Sequence, residues 1–220
     1  MSKPIIIFGA GQIAELAHYY FTNDSDKKVA AFTIDKEYIK DTSLLELPVI
    51  AFEDVVDVYP PSEFDCFVAL AYSSLNLTRM KKVNEAKQRG YTLSRYISSR
   101  ATVLIDPSNI GENCFILEDN TIQPFTKIGN NVTLWSGNHV GHHSIIDDHC
   151  FISSHVVICG NVHIEEKCFL GVNSTIRDGI TIGASSIVGA AAWVNKTIPA
   201  NSVCIPQPSK TRNRQARGLL

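Results

Sequence analysis

Residues 128–158 read IGNNVTLWSGNHVGHHSIIDDHCFISSHVVI, with an aliphatic residue at every sixth position: Ile128, Leu134, Val140, Ile146, Ile152 and Ile158. The series runs without a miss back through Ile122, Ile116 and Ile110 to Leu104. It runs forward through Ile164, Leu170, Ile176, Ile182 and Val188 to Val194. Helices repeat apolar positions at about 3.6 residues and strands at 2, so neither produces a period of six. Six residues is the repeat of a hexapeptide β-helix, in which three hexads close one triangular coil of about 18 residues. The aliphatic residue points into the coil. Four positions later stands a second, mostly small inward residue: Ser108, Cys114, Asn120, Thr126, Ser144, Cys150, Ser174, Ser186 or Ala192. Asn, Asp and Gly fill the corners between (Asn131, Gly137, Asp148, Asn161, Asn173, Gly179), where tight bends need left-handed backbone angles.

The 98 residues before the solenoid read as a small α/β domain. A buried strand ending at Ile7 meets Gly9-Ala10-Gly11-Gln12-Ile13-Ala14 and then a helical pattern. A second strand, 29–34, ends at Asp35; an apolar segment, 66–71, ends at Ala71; a helix over 77–89 is capped at Gly90. The expected architecture is thus mixed: a Rossmann-like α/β domain (1–98), a left-handed parallel β-helix (99–203) and a polar tail (204–220). A strand, a Gly-x-Gly turn and a helix N-terminus aim backbone N–H groups at one point, which suits a phosphate or pyrophosphate. Asp35 stands where an acidic residue accepts hydrogen bonds from a ribose. The spacing suits a nucleotide sugar, NAD or a purely structural turn. Fewer than 100 residues precede the solenoid, little more than half of a full dinucleotide fold, which favours the nucleotide sugar.

Composition excludes other classes. A net charge of −2 and a tail with few basic residues argue against nucleic acid or an anionic membrane surface as partner. No apolar run is long enough to span a bilayer, and the N-terminus lacks a signal peptide's core, so a cytoplasmic location is expected. The six cysteines show no CxxC spacing and read as reduced thiols. Six of the seven histidines crowd between His139 and His163. His143, His149 and His155 fall six apart on successive corners and point different ways, so no metal site is expected within one chain. Residues eighteen apart stack. His142 therefore lies below Gly160, and Gly160 below Asp178: an imidazole beside a bare glycine amide, a possible general base and oxyanion donor, or a solvated corner histidine.

The runs Ser136-Gly137-Asn138-His139-Val140-Gly141-His142-His143-Ser144, Cys159-Gly160-Asn161-Val162 and Phe169-Leu170-Gly171-Val172-Asn173-Ser174 resemble the hexapeptide-repeat acetyltransferases of bacterial nucleotide-linked amino sugars. A sialic-acid O-acetyltransferase branch is similar. Ile6-Ile7-Phe8-Gly9-Ala10-Gly11 matches the family's small α/β domain, so the resemblance covers nearly the whole chain. It implies a homotrimer with sites between adjacent β-helices, acetyl-CoA as co-substrate without a metal, and N-acetylation of a nucleotide-linked amino-deoxy sugar for bacterial surface glycans. His142 matches the catalytic histidine and Gly160 the oxyanion donor. His143 stands where the family carries the acidic residue that orients the ring, and as a neutral imidazole it is a weaker acceptor. CoA contacts are implied at Gly160, Val172, Asp178 and Ala190, the last a glycine in the family. Substrate contacts are implied at Gly9, Gly11, Gln12, Ile13, Asp35, Lys36, Ala71 and Arg79, where Arg79 reaches a phosphate or lies on the wet face of its helix. Pro206-Gln207-Pro208-Ser209-Lys210 resembles a degraded form of the family's Gly-x-Pro-Ala-Lys ending. O-acetylation of a sugar hydroxyl, a non-catalytic trimeric scaffold and an NAD-dependent oxidoreductase are the competing readings.

Overall fold

A computed structural model describes residues 2–207; the Pro208-Ser209-Lys210 part of the C-terminal motif and the basic tail lie outside the described residues. The N-terminal domain carries strands β1 (Ile5–Phe8), β2 (Val29–Ile34), β3 (Ser43–Leu44), β4 (Leu47–Ala51) and β5 (Asp65–Val68) in the order β3-β4-β2-β1-β5. All pairs are parallel except the β3–β4 hairpin. Strand alternation sorts β1 between two layers. Ile5 and Ile7 pack on α1 (Gln12–Asn23), while Ile6 and Phe8 pack on α3 (Leu77–Gln88) and on Val55 of the short α2 (Val55–Val58). Gly9 follows β1 at φ +135°, and a Cβ there would fall 2.7 Å from the Ala69 carbonyl oxygen, so only glycine makes this turn.

The chain enters the β-helix at Tyr96, whose N–H donates to Cys114 O, three residues before the expected start at 99. Val203–Cys204 still pairs with Ile187–Val188, so the β-helix also reaches one residue past its expected end. Two-residue parallel strands build three faces. The first face stacks Tyr96–Ile97, Phe115–Ile116, Thr133–Leu134, Phe151–Ile152 and Phe169–Leu170. Thr121–Ile122, His139–Val140, Val157–Ile158 and Thr175–Ile176 form the second; Lys127–Ile128, Ile145–Ile146 and His163–Ile164 form the third. The inward aliphatic column from Ile110 to Val194 is buried, as are the small inward residues Cys114, Asn120, Cys150, Cys168, Ser174 and Ser186. Corners turn through left-handed residues: Phe125, His143 and Asn161 on one edge, Asn131, His149 and Lys167 on the next, Gly137, His155 and Asn173 on the third.

Leu104 and Ser108 depart from the expected register: Leu104 is 56% exposed and Ser108 is exposed. Val103 pairs with Ile122 instead, nineteen residues away, because the 3-10 turn at Pro107–Asn109 inserts one extra residue into the first coil. From Ile110, which pairs with Ile128, the spacing is eighteen as far as the pairing of Ile176 with Val194; the last coil is two residues shorter, with Ile182 facing Ile198 and Val188 facing Cys204.

The α/β domain packs on the first face. Phe115 and Leu117 share a core with Phe21, Phe67 and Tyr96. Residues 92–94 pair with Cys66 on the outer edge of β5, and Asn113 completes that edge, accepting from Val68 N–H at 2.7 Å and donating to Val68 O at 3.2 Å. Arg79, expected at a phosphate or in solvent, is 2% exposed. Its guanidinium crosses between the domains to Thr133 Oγ1, Asn131 O and Cys150 O and lies 5.7 Å from the centre of the Phe151 ring. Burial lowers its pKa to about 10, which leaves it charged at neutral pH. Helix α3 thus buries two faces, one in its own sheet and one on the β-helix. At the far end of α1, Asp24 accepts from Ser99 N–H, Tyr96 OH and Ser98 OH. No helix of the described residues is long and apolar enough to cross a membrane.

Two outcomes follow. Arg79→Met leaves the Asn131 carbonyl and the Thr133 hydroxyl without their donor, whereas Cys150 O keeps the Thr133 N–H; at about 1–3 kcal/mol for each buried group, Tm falls by roughly 4–24 °C. For Asp24, the bonds from Ser99, then Tyr96, hold the carboxyl at about 2 against an ordinary 3.8. Its stabilisation is therefore present above pH 3.8 and is lost as pH falls towards 2. Asp24→Asn lowers the melting temperature at neutral pH and converges with wild type near pH 2, which parallel thermal melts check.

Candidate active site

His142 occupies the edge between the second and third faces. Gly141 precedes it because a Cβ there would fall 2.5 Å from Cys159 C and 2.6 Å from Gly160 N, in the coil above. The His142 N–H donates to Gln123 Oε1 at 2.9 Å, and its Nδ1 lies 3.1 Å from Nδ1 of His143. Such a contact needs a proton on one nitrogen and none on the other. With the proton on His142 Nδ1, its Nε2 is left bare to accept one. Phe125, 71% exposed and at φ +66°, lays its ring 4.6 Å from that of His143 and tilted by 34°, bracing it from the coil below.

Gly160 keeps this geometry open. A Cβ at residue 160 would meet His142 Cε1 and Nε2, each at 2.7 Å, so the imidazole lies directly against the glycine backbone. The Gly160 carbonyl accepts from Gly179 N–H at 3.0 Å, while its own N–H has no acceptor among the described residues. A proton acceptor and a free amide donor thus stand side by side on a half-exposed edge, with the exposed Asp178 one coil above. This pairing suits a reaction in which a proton leaves a nucleophile while negative charge grows on a carbonyl oxygen.

The α/β domain holds a separate cleft of about 390 Å³, lined by Phe8, Gly9, Ala10, Ile34, Asp35, Tyr38, Thr78 and Lys82 among others. Asp35 is ion-paired there with Lys82 Nζ at 2.6 Å, so a ribose would compete for an acceptor already engaged. Lys82 also lies over the Phe8 and Phe52 rings. Gly11 caps the N-terminus of α1, while Ile13 turns towards Trp135 and Phe151 of the β-helix. Lys36 gives its backbone N–H to Glu53; neither it nor the half-buried Ala71 lines the cleft. Arg79 lies in the domain interface, away from it.

The expected site residues fall into separate groups. His142, His143, Gly160 and Asp178 share one edge; Val172 and Ala190 stand on another, between the first and second faces. The α/β domain covers the first face, which lies opposite the His142 edge. One chain therefore does not bring the groups together. Gln123, Phe125 and Lys82 were missed by motif reading. Column arithmetic reaches the first two, nineteen residues below His142 and eighteen below His143; Lys82 leaves no such signal.

The bacterial transferase hexapeptide family (six repeats) matches residues 107–140 and 125–160, and the hexapeptide repeat of succinyl-transferase matches 161–196. Among curated proteins, the chain is similar to the acyl-(acyl-carrier-protein)–UDP-N-acetylglucosamine O-acyltransferase of Pseudomonas paraeruginosa, with 24% identity over 127 residues. That match covers 57% of this chain and 49% of the relative, so the chain spans about half the length of the curated relatives it matches. Among solved structures it resembles a histidine-to-asparagine variant of perosamine N-acetyltransferase from Caulobacter crescentus, in complex with CoA and GDP-perosamine. Identity is 24%, coverage is 97% of this chain and 99% of that one, and the TM-score is 0.82. It also resembles the acetyltransferase domain of PglB from Neisseria gonorrhoeae in complex with acetyl coenzyme A, with 21% identity, coverage of 92% and 96%, and a TM-score of 0.79. These likenesses establish a shared two-domain fold.

The contact between His142 and Gly160 sets a direct test. Gly160→Ala retains the fold, because residue 160 is not in the left-handed region, but its methyl group displaces the imidazole. Its melting temperature should match wild type while the His142 ring nitrogens shift in ¹H–¹⁵N spectra. Unmoved resonances would disprove the contact.

Proposed function

We propose that this hexapeptide-repeat protein is an acetyl-CoA-dependent N-acetyltransferase that acts on the amine of a nucleotide-linked amino-deoxy sugar. The observation that carries the reading is the His142 imidazole laid against the bare Gly160 backbone with a free amide beside it. The nucleotide-type cleft of the α/β domain supplies the second half. The perosamine N-acetyltransferase and the PglB acetyltransferase domain, bound to CoA with GDP-perosamine and to acetyl coenzyme A respectively, have the same two-domain fold and support the choice of substrates.

Assembly follows from the separation of the two halves. The second face exposes Val157 and Trp193, the latter 58% accessible. When that face lies against the axis of a left-handed β-helix homotrimer, the His142 edge of one copy meets the Val172 and Ala190 edge of the next. The groups that one chain keeps apart then line one groove, and the α/β domain of the second copy stands beside the His142 of the first. Acetyl-CoA lies along this groove, near Gly160, Val172, Asp178 and Ala190. The nucleotide sugar rests near Gly9, Gly11, Gln12 and Asp35 of the other copy.

The reaction balances without an acyl-enzyme. The neutral amine attacks the thioester carbonyl, forming the C–N bond. His142 Nε2 takes a proton from the nitrogen, and the Gly160 N–H donates to the tetrahedral oxyanion. As the C–S bond breaks, the proton passes to the CoA sulfur, giving the amide and free CoA. Cys114, Cys150 and Cys168, fully buried, take no part. His143 accepts from His142 Nδ1 and holds the ring.

The test is acetyl transfer followed by mass spectrometry, with a panel of UDP-, dTDP- and GDP-linked amino sugars and their hydroxyl counterparts. The expected result is one acetyl group gained by an amino sugar. His142→Ala reduces turnover about 10²- to 10⁴-fold. Acetylation of hydroxyl sugars alone would reassign the protein to O-acetylation, and neither transfer nor CoA binding would leave a scaffold.

A further inference from the structure

A second histidine–glycine pair stands on the edge between the first and second faces. His155, exposed and at φ +57°, lays its ring over Gly137, where a Cβ would fall 2.4 Å from His155 Nδ1 and 2.6 Å from Cε1. His142 leans upward onto the next coil; His155 leans downward onto the previous one.

Helix α1 climbs this edge. Asp24, past its C-terminus, bonds Ser98 and Ser99; Tyr20 OH donates to Glu118 at 2.8 Å; Ile13 packs at Trp135. Each step up the β-helix brings the helix nearer its N-terminus. The open amides of its first turn, after Gly11, therefore emerge at the level of residues 153–155. Those amides favour negative charge, and His155 stands beside whatever they hold.

The heights also agree across copies. Coils rise about 4.8 Å, and a closed rotational assembly adds no translation along its axis. The His142 ring lies midway between residues 142 and 160, the His155 ring midway between 137 and 155. The two rings therefore sit within about 1–2 Å of the same height in the groove.

We infer that His155 is a substrate-positioning residue: its Nε2 hydrogen-bonds the diphosphate-linked sugar held by its own α/β domain and presents the amine to His142 of the neighbouring copy. This rests on the acetyltransferase reading for the reaction, but not for binding. A corner residue at this position tolerates substitution, since Ala191 (φ +60°) and Lys167 (φ +59°) hold equivalent conformations.

The experiment has two arms, both using the full-length assembly. In the first, calorimetry measures nucleotide amino-sugar binding. His155→Ala weakens it about tenfold, the effect of one lost hydrogen bond, and raises KM for that substrate while KM for acetyl-CoA stays constant. His155→Gln, which places an amide near the former Nε2, recovers most of the loss. An unchanged affinity, or a loss confined to acetyl-CoA, would overturn the inference. In the second arm, His142→Ala and His155→Ala chains are co-expressed. Trimers with both kinds of chain contain an intact site at about one interface in three, so activity at sugar concentrations below KM rises well above the mean of the two variants. No rise would place both histidines in one chain's site and overturn the inference. Wild-type protein that binds the nucleotide sugar but transfers no acetyl would end the acetyltransferase reading alone. Protein that binds no nucleotide sugar would end both.

Discussion

Parallel stacking at eighteen residues per coil is the constraint on which the rest of the molecule depends. It places each residue under the one eighteen ahead, so the chain writes its edges as columns. His142 meets Gly160 for that reason, and His143 receives the Phe125 ring. The inward aliphatic column makes the register stiff: a slip of one residue would expose the buried isoleucines from Ile110 onward. Glycine enters where the backbones of successive coils approach closely, as at Gly141, and at Gly160 the missing Cβ leaves the His142 imidazole room to lie against the chain.

The triangular section has a second consequence. A prism presents three edges pointing away from one another, so a β-helix alone cannot surround a substrate. The α/β domain closes one face through Arg79, Asn113 and Asp24, three polar contacts that fix it rigidly but on the side away from His142. The His142 edge and the α/β-domain cleft of one chain then face different directions, and the proposed rotational assembly is the economical way to join them.

The repeat was legible in the sequence from Ile110 onward because its signal is a single period sustained over many units. Leu104 misled because the insertion near Pro107 shifts the first coil without interrupting the run of aliphatic residues. Arg79 misled for a different reason. A helix reads as having one buried face, and α3 has two, the second visible only once the β-helix is docked. The His142–Gly160 contact followed from counting. The engagement of Asp35 by Lys82 did not, because it joins residues 47 apart across a turn of the fold.

The place where CoA binds decides whether the His142 edge works between two copies. An experimental structure of the assembled protein with CoA and a nucleotide sugar should show the pantetheine arm between two copies. The sulfur should lie within reach of the His142 Nε2 and the Gly160 amide, with the sugar rising from the α/β domain of the other copy. CoA bound on a single chain away from the His142 edge, or a protein that is monomeric with both ligands present, would contradict it.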